Sequence, residues 1–216
     1  MGFYSLVAFF QKGGLFMYPI LLVFAVGIAI TVERWIELKR TDNTNSRMWD
    51  ALQPILAKGD FDRAREMVNK DKSNMAKMLE MGLVRQGAVR RRDDIEIAME
   101  ESLMEIIPQL EKRTPYVALL ANIATLLGLL GTIMGLIEAF TAVANANPAE
   151  KADLLSASIS VAMNTTAFGL MSAIPLLLFH SMLTSTTGHI VDNLEMASVK
   201  VLNSISNFAM RQFDGS

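Results

Sequence analysis

The stretch PYVALLANIATLLGLLGTIMGLI, Pro115 to Ile137, carries no Asp, Glu, Lys or Arg. An α-helix rises about 1.5 Å per residue and a bilayer's hydrocarbon core is about 30 Å thick, so about 20 apolar residues cross it. This run is long enough. Two more runs lack formal charge, Leu15 to Val32 and Leu154 to Val191. The first just reaches across, and the other crosses and projects beyond. The fold expected is all-α, an integral membrane protein with three transmembrane helices.

The average composition conceals this pattern. Of 216 residues, 51% are hydrophobic and 19% charged, close to a soluble domain. Segregation of the charges is what marks the spans. The first run exceeds the apolar core of a secretory signal and ends on Glu33, Arg34 and Trp35 with no small-residue cleavage site, so it reads as a retained span. There is no cysteine, which excludes disulfides, thiolate nucleophiles and Cys-based metal sites. No metal or cofactor site and no catalytic residues are expected, so the chain does not read as an enzyme. Nothing points to nucleic acid.

Sixteen of the twenty Lys and Arg residues lie between Arg34 and Arg113. Arg34, Lys39, Arg40 and Arg47 crowd the end of span one, and Lys112 and Arg113 precede span two. The positive-inside bias places this segment in the cytoplasm. Three spans then put the N-terminus outside and the C-terminus inside. The layout expected is an interfacial helix on the outer, periplasmic side (1–14), span one (15–37), a cytoplasmic helical segment (38–113), span two (114–144), an outer loop (145–153), span three (154–182) and a cytoplasmic C-terminal helix (183–216). Tyr18, Trp35 and Tyr116 fall where an aromatic belt meets lipid headgroups.

The cytoplasmic segment reads as helices. Arg47–Leu56 and Asp60–Asn69 form a hairpin broken at Gly59 and capped by Asp60. Met75–Gln86 follows. Asp93 and Asp94 then open a long helix that runs into span two, with Pro108 as a kink. After span three, Ile190, Leu194, Ala197, Val201, Ile205 and Phe208 recur at steps of three and four. Span three is therefore expected to continue as an amphipathic helix, so that spans two and three extend into a cytoplasmic helical bundle.

No carboxylate or basic residue lies within the three membrane cores. An ion pump usually carries its own intramembrane ionisable residue, so a partner must supply one here. Spans two and three carry small residues and hydroxyls instead. Gly128, Gly131 and Gly135 allow close backbone approach, which alone means only helix packing. Span three holds Ser156, Ser158, Ser160, Asn164, Thr165, Thr166, Gly169, Ser172 and Pro175. One Thr in a span often bonds back to its own helix. So many polar residues point to a face packed on another helix or lining a hydrated path.

Leu126-Leu-Gly-Leu-Leu-Gly-Thr132-Ile-Met-Gly135, followed by Glu138-Ala-Phe140, resembles the second-span signature of the MotA/TolQ/ExbB family. Asn164-Thr-Thr166-Ala-Phe-Gly169-Leu-Met-Ser-Ala-Ile-Pro175 resembles its third-span signature. The likeness covers nearly the whole chain and is greatest to the three-span ExbB/TolQ branch. It implies a bacterial inner-membrane homopentamer around a dimer of a single-span subunit like ExbD, TolR or MotB, which carries an intramembrane Asp. It implies that Thr132 and Thr166 face that Asp, and the side-chain oxygens of Thr165, Asn164 and Thr125 add them to the expected ion pathway. Gly128, Gly131, Gly135, Gly169 and Pro175 would pack helices or face the partner. The assembly would couple H+ or Na+ flow to mechanical work or transport across the envelope. Val161 stands where ExbB and TolQ carry a Glu, Thr165 where they have Ala, and Thr125 where they have Pro. The added hydroxyls could hold a transient Na+ at Thr132, Thr165 and Thr166, because hard cations prefer oxygen ligands.

Two other readings are a self-contained small ion channel and a structural membrane scaffold. The first lacks intramembrane charge and an inverted repeat. In the second, the threonines only pack.

Overall fold

The structure, a computed structural model, describes residues 14–88 and 92–214. The interfacial helix expected over 1–14 lies almost wholly outside them. The described residues form six helices: α1 Met17–Ala57, α2 Phe61–Lys70, α3 Asn74–Ala88, α4 Arg92–Glu111, α5 Thr114–Asn145 and α6 Lys151–Asp214. The fold is all-helical.

Three stretches, Met17–Ala57, Arg92–Asn145 and Lys151–Phe208, are long and apolar enough to cross a membrane. Only 22%, 28% and 28% of their most apolar windows is buried inside the chain. Leu22, Leu126, Ile137, Met171 and Leu178 are among the large apolar side chains left outside. So much apolar surface is unfavourable in water and suited to hydrocarbon.

The chain divides into two compact units. One comprises residues up to Arg34 together with Arg113–Met182. Its interior is built from small side chains, with Ala121, Ala124, Ala139, Ala162 and Ala173 buried beside Ile20, Val117 and Leu176. Gly27 of α1 admits Leu176 of α6, since a β-carbon there would lie 2.7 Å from Leu176 Cδ2. The ion pair between Arg113 and Glu33 also lies in this unit.

The other unit comprises Trp35–Lys112 together with residues from Leu183 onward. Its core is aliphatic and methionine-rich, with Leu52, Met78, Leu79, Leu83, Met99, Leu194 and Leu202 fully buried. Ile190, Leu194, Ala197 and Val201 are all buried, as their spacing predicts. Phe208 meets Phe61 edge-to-face at 5.6 Å and lies against Gly59. Gly59 has φ +75° and no room for a β-carbon beside that ring, so glycine meets both demands. The Asp60 side chain accepts from Arg63 N at 3.1 Å and caps α2, as expected.

Two local expectations are corrected. Arg47–Leu56 is not a separate helix but the end of α1, which runs unbroken from Met17 to Ala57. The polar stretch Thr41–Ser46 looks like a linker. Yet Leu38, Asn45, Met48 and Leu52 are buried at steps of seven, three and four, one face that packing holds helical. The long helix opened by Asp93 and Asp94 also does not run into span two. α4 stops at Glu111 and α5 starts at Thr114. Arg113 between them is left-handed, with φ 65°. Pro115 lacks an N–H and disfavours the helical region for the residue before it, so it belongs in a first turn. Pro108, the expected kink, sits inside α4.

Candidate ion-pathway site

Ala124, Gly128, Gly131 and Gly135 lie at steps of four, three and four, which aligns them as one stripe on α5. A second small-residue stripe on α6, made by Ala162, Thr165, Thr166 and Gly169, runs antiparallel to it. A β-carbon on Gly169 would lie 2.8 Å from the Ala124 carbonyl oxygen and 3.0 Å from Gly128 Cα. One on Gly128 would lie 3.2 Å from Gly169 Cα and 3.3 Å from Thr166 Cα. One on Gly135 would lie 3.0 Å from Ala162 Cβ. Backbone rests on backbone here, which only glycine permits.

That closeness brings the hydroxyls together. Thr166 donates to the Gly128 carbonyl across the helix contact at 2.9 Å. Thr132 Oγ1 lies 3.2 Å from the same carbonyl and 3.5 Å from that of Ala162. Thr132 and Thr166 are also hydrogen-bonded to each other. Each hydroxyl has one hydrogen and two lone pairs, so one threonine donates to the other while the second donates to Gly128. The result is an uncharged knot of oxygens, half-buried, in helices without formal charge at that level.

The sequence profile of the MotA/TolQ/ExbB proton channel family matches residues 70–196, more than half of the chain. The chain belongs to that family. An ExbB homolog of Methanothermobacter thermautotrophicus is 25% identical over 196 residues, 90% of this chain and 68% of that protein. The Tol-Pal system protein TolQ of Haemophilus influenzae is 34% identical over 86 residues, 40% of this chain and 37% of TolQ. The biopolymer transport protein exbB1 of Vibrio cholerae is 47% identical over 57 residues, 26% of this chain and 25% of that one. These likenesses agree with the ExbB/TolQ branch.

Other residues singled out in this ExbB/TolQ-type chain are placed apart from the knot. Thr165 is 2% exposed. Its hydroxyl donates to the Val161 carbonyl of its own helix at 3.0 Å, and its methyl lies against Gly131. Thr125 is on an exposed part of α5 and donates to the Ala121 carbonyl at 3.2 Å. Asn164 is half-buried and Pro175 sits half-buried within α6.

Sequence reading missed Gly27, Ala124 and Ala162, the small residues that complete the contacts. A search for small residues on every span, not only at GxxxG spacing, finds them. Arg34 was read as a flanking charge and is only 3% exposed. Nothing in its sequence context signals that burial.

Proposed function

We propose that this chain is the membrane subunit of an ion-motive-force-driven motor, a homopentamer around a dimer of a single-span partner. The partner resembles ExbD, TolR or MotB and carries an intramembrane Asp. Proton flow past that Asp is coupled to mechanical work or transport across the envelope. The observation that carries the reading is the Thr132–Thr166 hydroxyl pair at the Gly128 carbonyl. The contact around it is made of glycine, alanine and methyl groups. Polar groups at membrane depth are satisfied by protein or line water. Both hydroxyl hydrogens are engaged within the knot, and each oxygen keeps a lone pair, so the pair accepts from the partner's carboxyl when it is protonated and adds no charge.

Protons are preferred to sodium because sodium needs several oxygens to replace its hydration. Thr165 is turned from Thr166 into the packed interior, and Thr125 stands about two turns before Thr132 on α5, which leaves two hydroxyls at the knot. Sodium is the second reading. It is favoured by the departures at Thr125, Val161 and Thr165 from the ExbB/TolQ pattern.

The chain sits in the inner membrane with its N-terminus periplasmic and its C-terminus cytoplasmic. The basic segment Arg34–Arg113 and the end of α6 form the cytoplasmic bundle, as positive charge at span ends favours. Lipid covers the apolar surface that protein leaves open. The test is purification in mild detergent followed by native mass measurement and identification of co-purifying chains. Five copies with a single-span subunit is the expected result, and a monomer alone overturns the assembly.

A further inference from the structure

Thr165 and Thr166 are adjacent on α6, so their side chains point about 100° apart. Thr166 reaches the oxygen knot. Thr165 is turned into the packed interior of its unit, 2% exposed. Its γ-methyl lies directly over Gly131, where a β-carbon would also stand 3.2 Å from Thr165 Cβ and 3.3 Å from Phe16 Cβ. Gly14, just before α1, meets α6 one turn away, its β-carbon position 3.2 Å from Val161 Cγ1. Thr165 thus fills a notch where α5, α6 and the turn just before α1 converge. Its hydroxyl donates to Val161 O, so its one hydrogen is directed along its own helix.

We propose that Thr165 is a positioning residue whose methyl, seated in the Gly131 notch, fixes the rotation of α6 that lays the Thr166 hydroxyl on the Gly128 carbonyl, while its own hydroxyl is no part of the ion pathway. This rests on the reading of Thr132 and Thr166 as pathway residues. Two features separate the roles. Removing a methyl from Thr165 frees α6 to turn, whereas removing the hydroxyl leaves the wedge in place. Gly131 and Thr165 are also complementary in volume, so an added carbon on one is matched by a lost carbon on the other.

The test uses the full complex with its partner in membranes. It reads driven output, the pH dependence of that output and the amount of assembled complex. Thr165→Val keeps the branched shape and removes the hydroxyl. Output within two-fold of the parent, with an unchanged pH profile, is expected. Thr165→Ser keeps the hydroxyl and removes the methyl. At least a ten-fold loss and a displaced pH profile are expected at normal assembly. Gly131→Ala should lose as much, and Gly131→Ala with Thr165→Ser should recover at least half of the parent output. That rescue decides the matter if Thr165→Val fails to assemble. Parent-like output from Thr165→Ser, or no rescue in the double variant, overturns the proposal. Thr166→Ala is run beside them. Full output from Thr166→Ala sinks the pathway reading itself, whereas loss there together with an inactive but assembled Thr165→Val sinks only the positioning role.

Discussion

Gly128 and Gly169 meet backbone to backbone, with a β-carbon on Gly169 destined to lie 3.0 Å from Gly128 Cα and 2.8 Å from the Ala124 carbonyl oxygen. Neither neighbour is a side-chain end that can swing aside. Gly169→Ala must therefore push α6 from α5, at about 1–3 kcal/mol for overpacking. The better helix propensity of alanine offsets up to about 1 kcal/mol. Gly188, also on α6, has nothing within 4 Å of its β-carbon position. Gly188→Ala should stabilise by about 0.5–1 kcal/mol. Melting of the purified protein in detergent should show opposite shifts for the two variants. Equal shifts would remove the close contact as an explanation.

The hydroxyl pair predicts a loss of function without a loss of structure. One interhelical hydrogen bond in a membrane is worth about 0.6 kcal/mol on average. Thr132→Ala and Thr166→Ala should assemble normally, yet each should lose at least ten-fold in driven output. Serine at either position keeps the oxygen and should spare more. If both alanine variants work at full rate, the threonines only pack.

How much of this was legible from the residues alone follows from what periodicity encodes. Charge-free runs located α1, α5 and the membrane part of α6, because burial in lipid leaves a mark on every residue of a span. The steps from Ile190 to Val201 located a buried face for the same reason. Glycines on span two announced a close approach. They could not say that Gly128 opposes Gly169, or that Thr166 and not Thr165 reaches Gly128, because rotation between helices is set by packing. Arg47–Leu56 could not be seen as the end of α1, because the polar stretch before it is held helical by Leu38, Asn45 and Met48 packing on one face. The break at Arg113 was legible in Pro115, but Pro108 drew attention first.

Arg113 itself makes a stability prediction. The left-handed region costs a residue with a β-carbon roughly 1–2 kcal/mol. Its ion pair with Glu33 joins side chains that are 47% and 42% exposed, a setting in which such a pair contributes about 0–1 kcal/mol. Arg113→Gly exchanges the pair for relief of strain and should stay within about 1 kcal/mol of the parent. Arg113→Val loses the pair and adds a β-branched residue at positive φ. It should melt well below the glycine variant. A valine variant as stable as the glycine one contradicts a left-handed junction.

Asn45 ties α1 to the start of α3. Its Oδ1 accepts from Met75 N at 3.1 Å, and the residue is 3% exposed. Removing the side chain strands a buried amide, which costs about 1–3 kcal/mol. Hydrogen exchange should accelerate at Met75 and along the first turn of α3 in Asn45→Ala. Ser73, whose Oγ accepts from Ala76 N at 3.1 Å, is the ordinary local cap. Ser73→Ala should cost about 1 kcal/mol and leave Met75 protected. Unchanged exchange at Met75 in Asn45→Ala would show that α3 starts without its help.

In the proposed function, the choice of coupling ion turns on how many oxygens meet where an ion would have to stop. A sodium ion that leaves water needs several oxygens together in place of its hydration shell. The knot offers Thr132 Oγ1, Thr166 Oγ1 and the Gly128 carbonyl, with the Ala162 carbonyl 3.5 Å from Thr132. The Gly128 carbonyl already accepts from Thr166, and backbone carbonyls inside helices already accept from their own ladders. A proton needs no such shell, only a partner carboxylate and a hydrogen-bonded route to it. Replacing sodium by potassium at constant pH and membrane potential should therefore leave driven output unchanged. Collapsing the pH gradient and the membrane potential together should abolish it in either buffer. Output that vanishes in potassium and returns with added sodium would overturn the proton assignment. Thr165→Val would then show whether a third hydroxyl belongs to the ion's shell, since a lost sodium requirement in that variant would place it there.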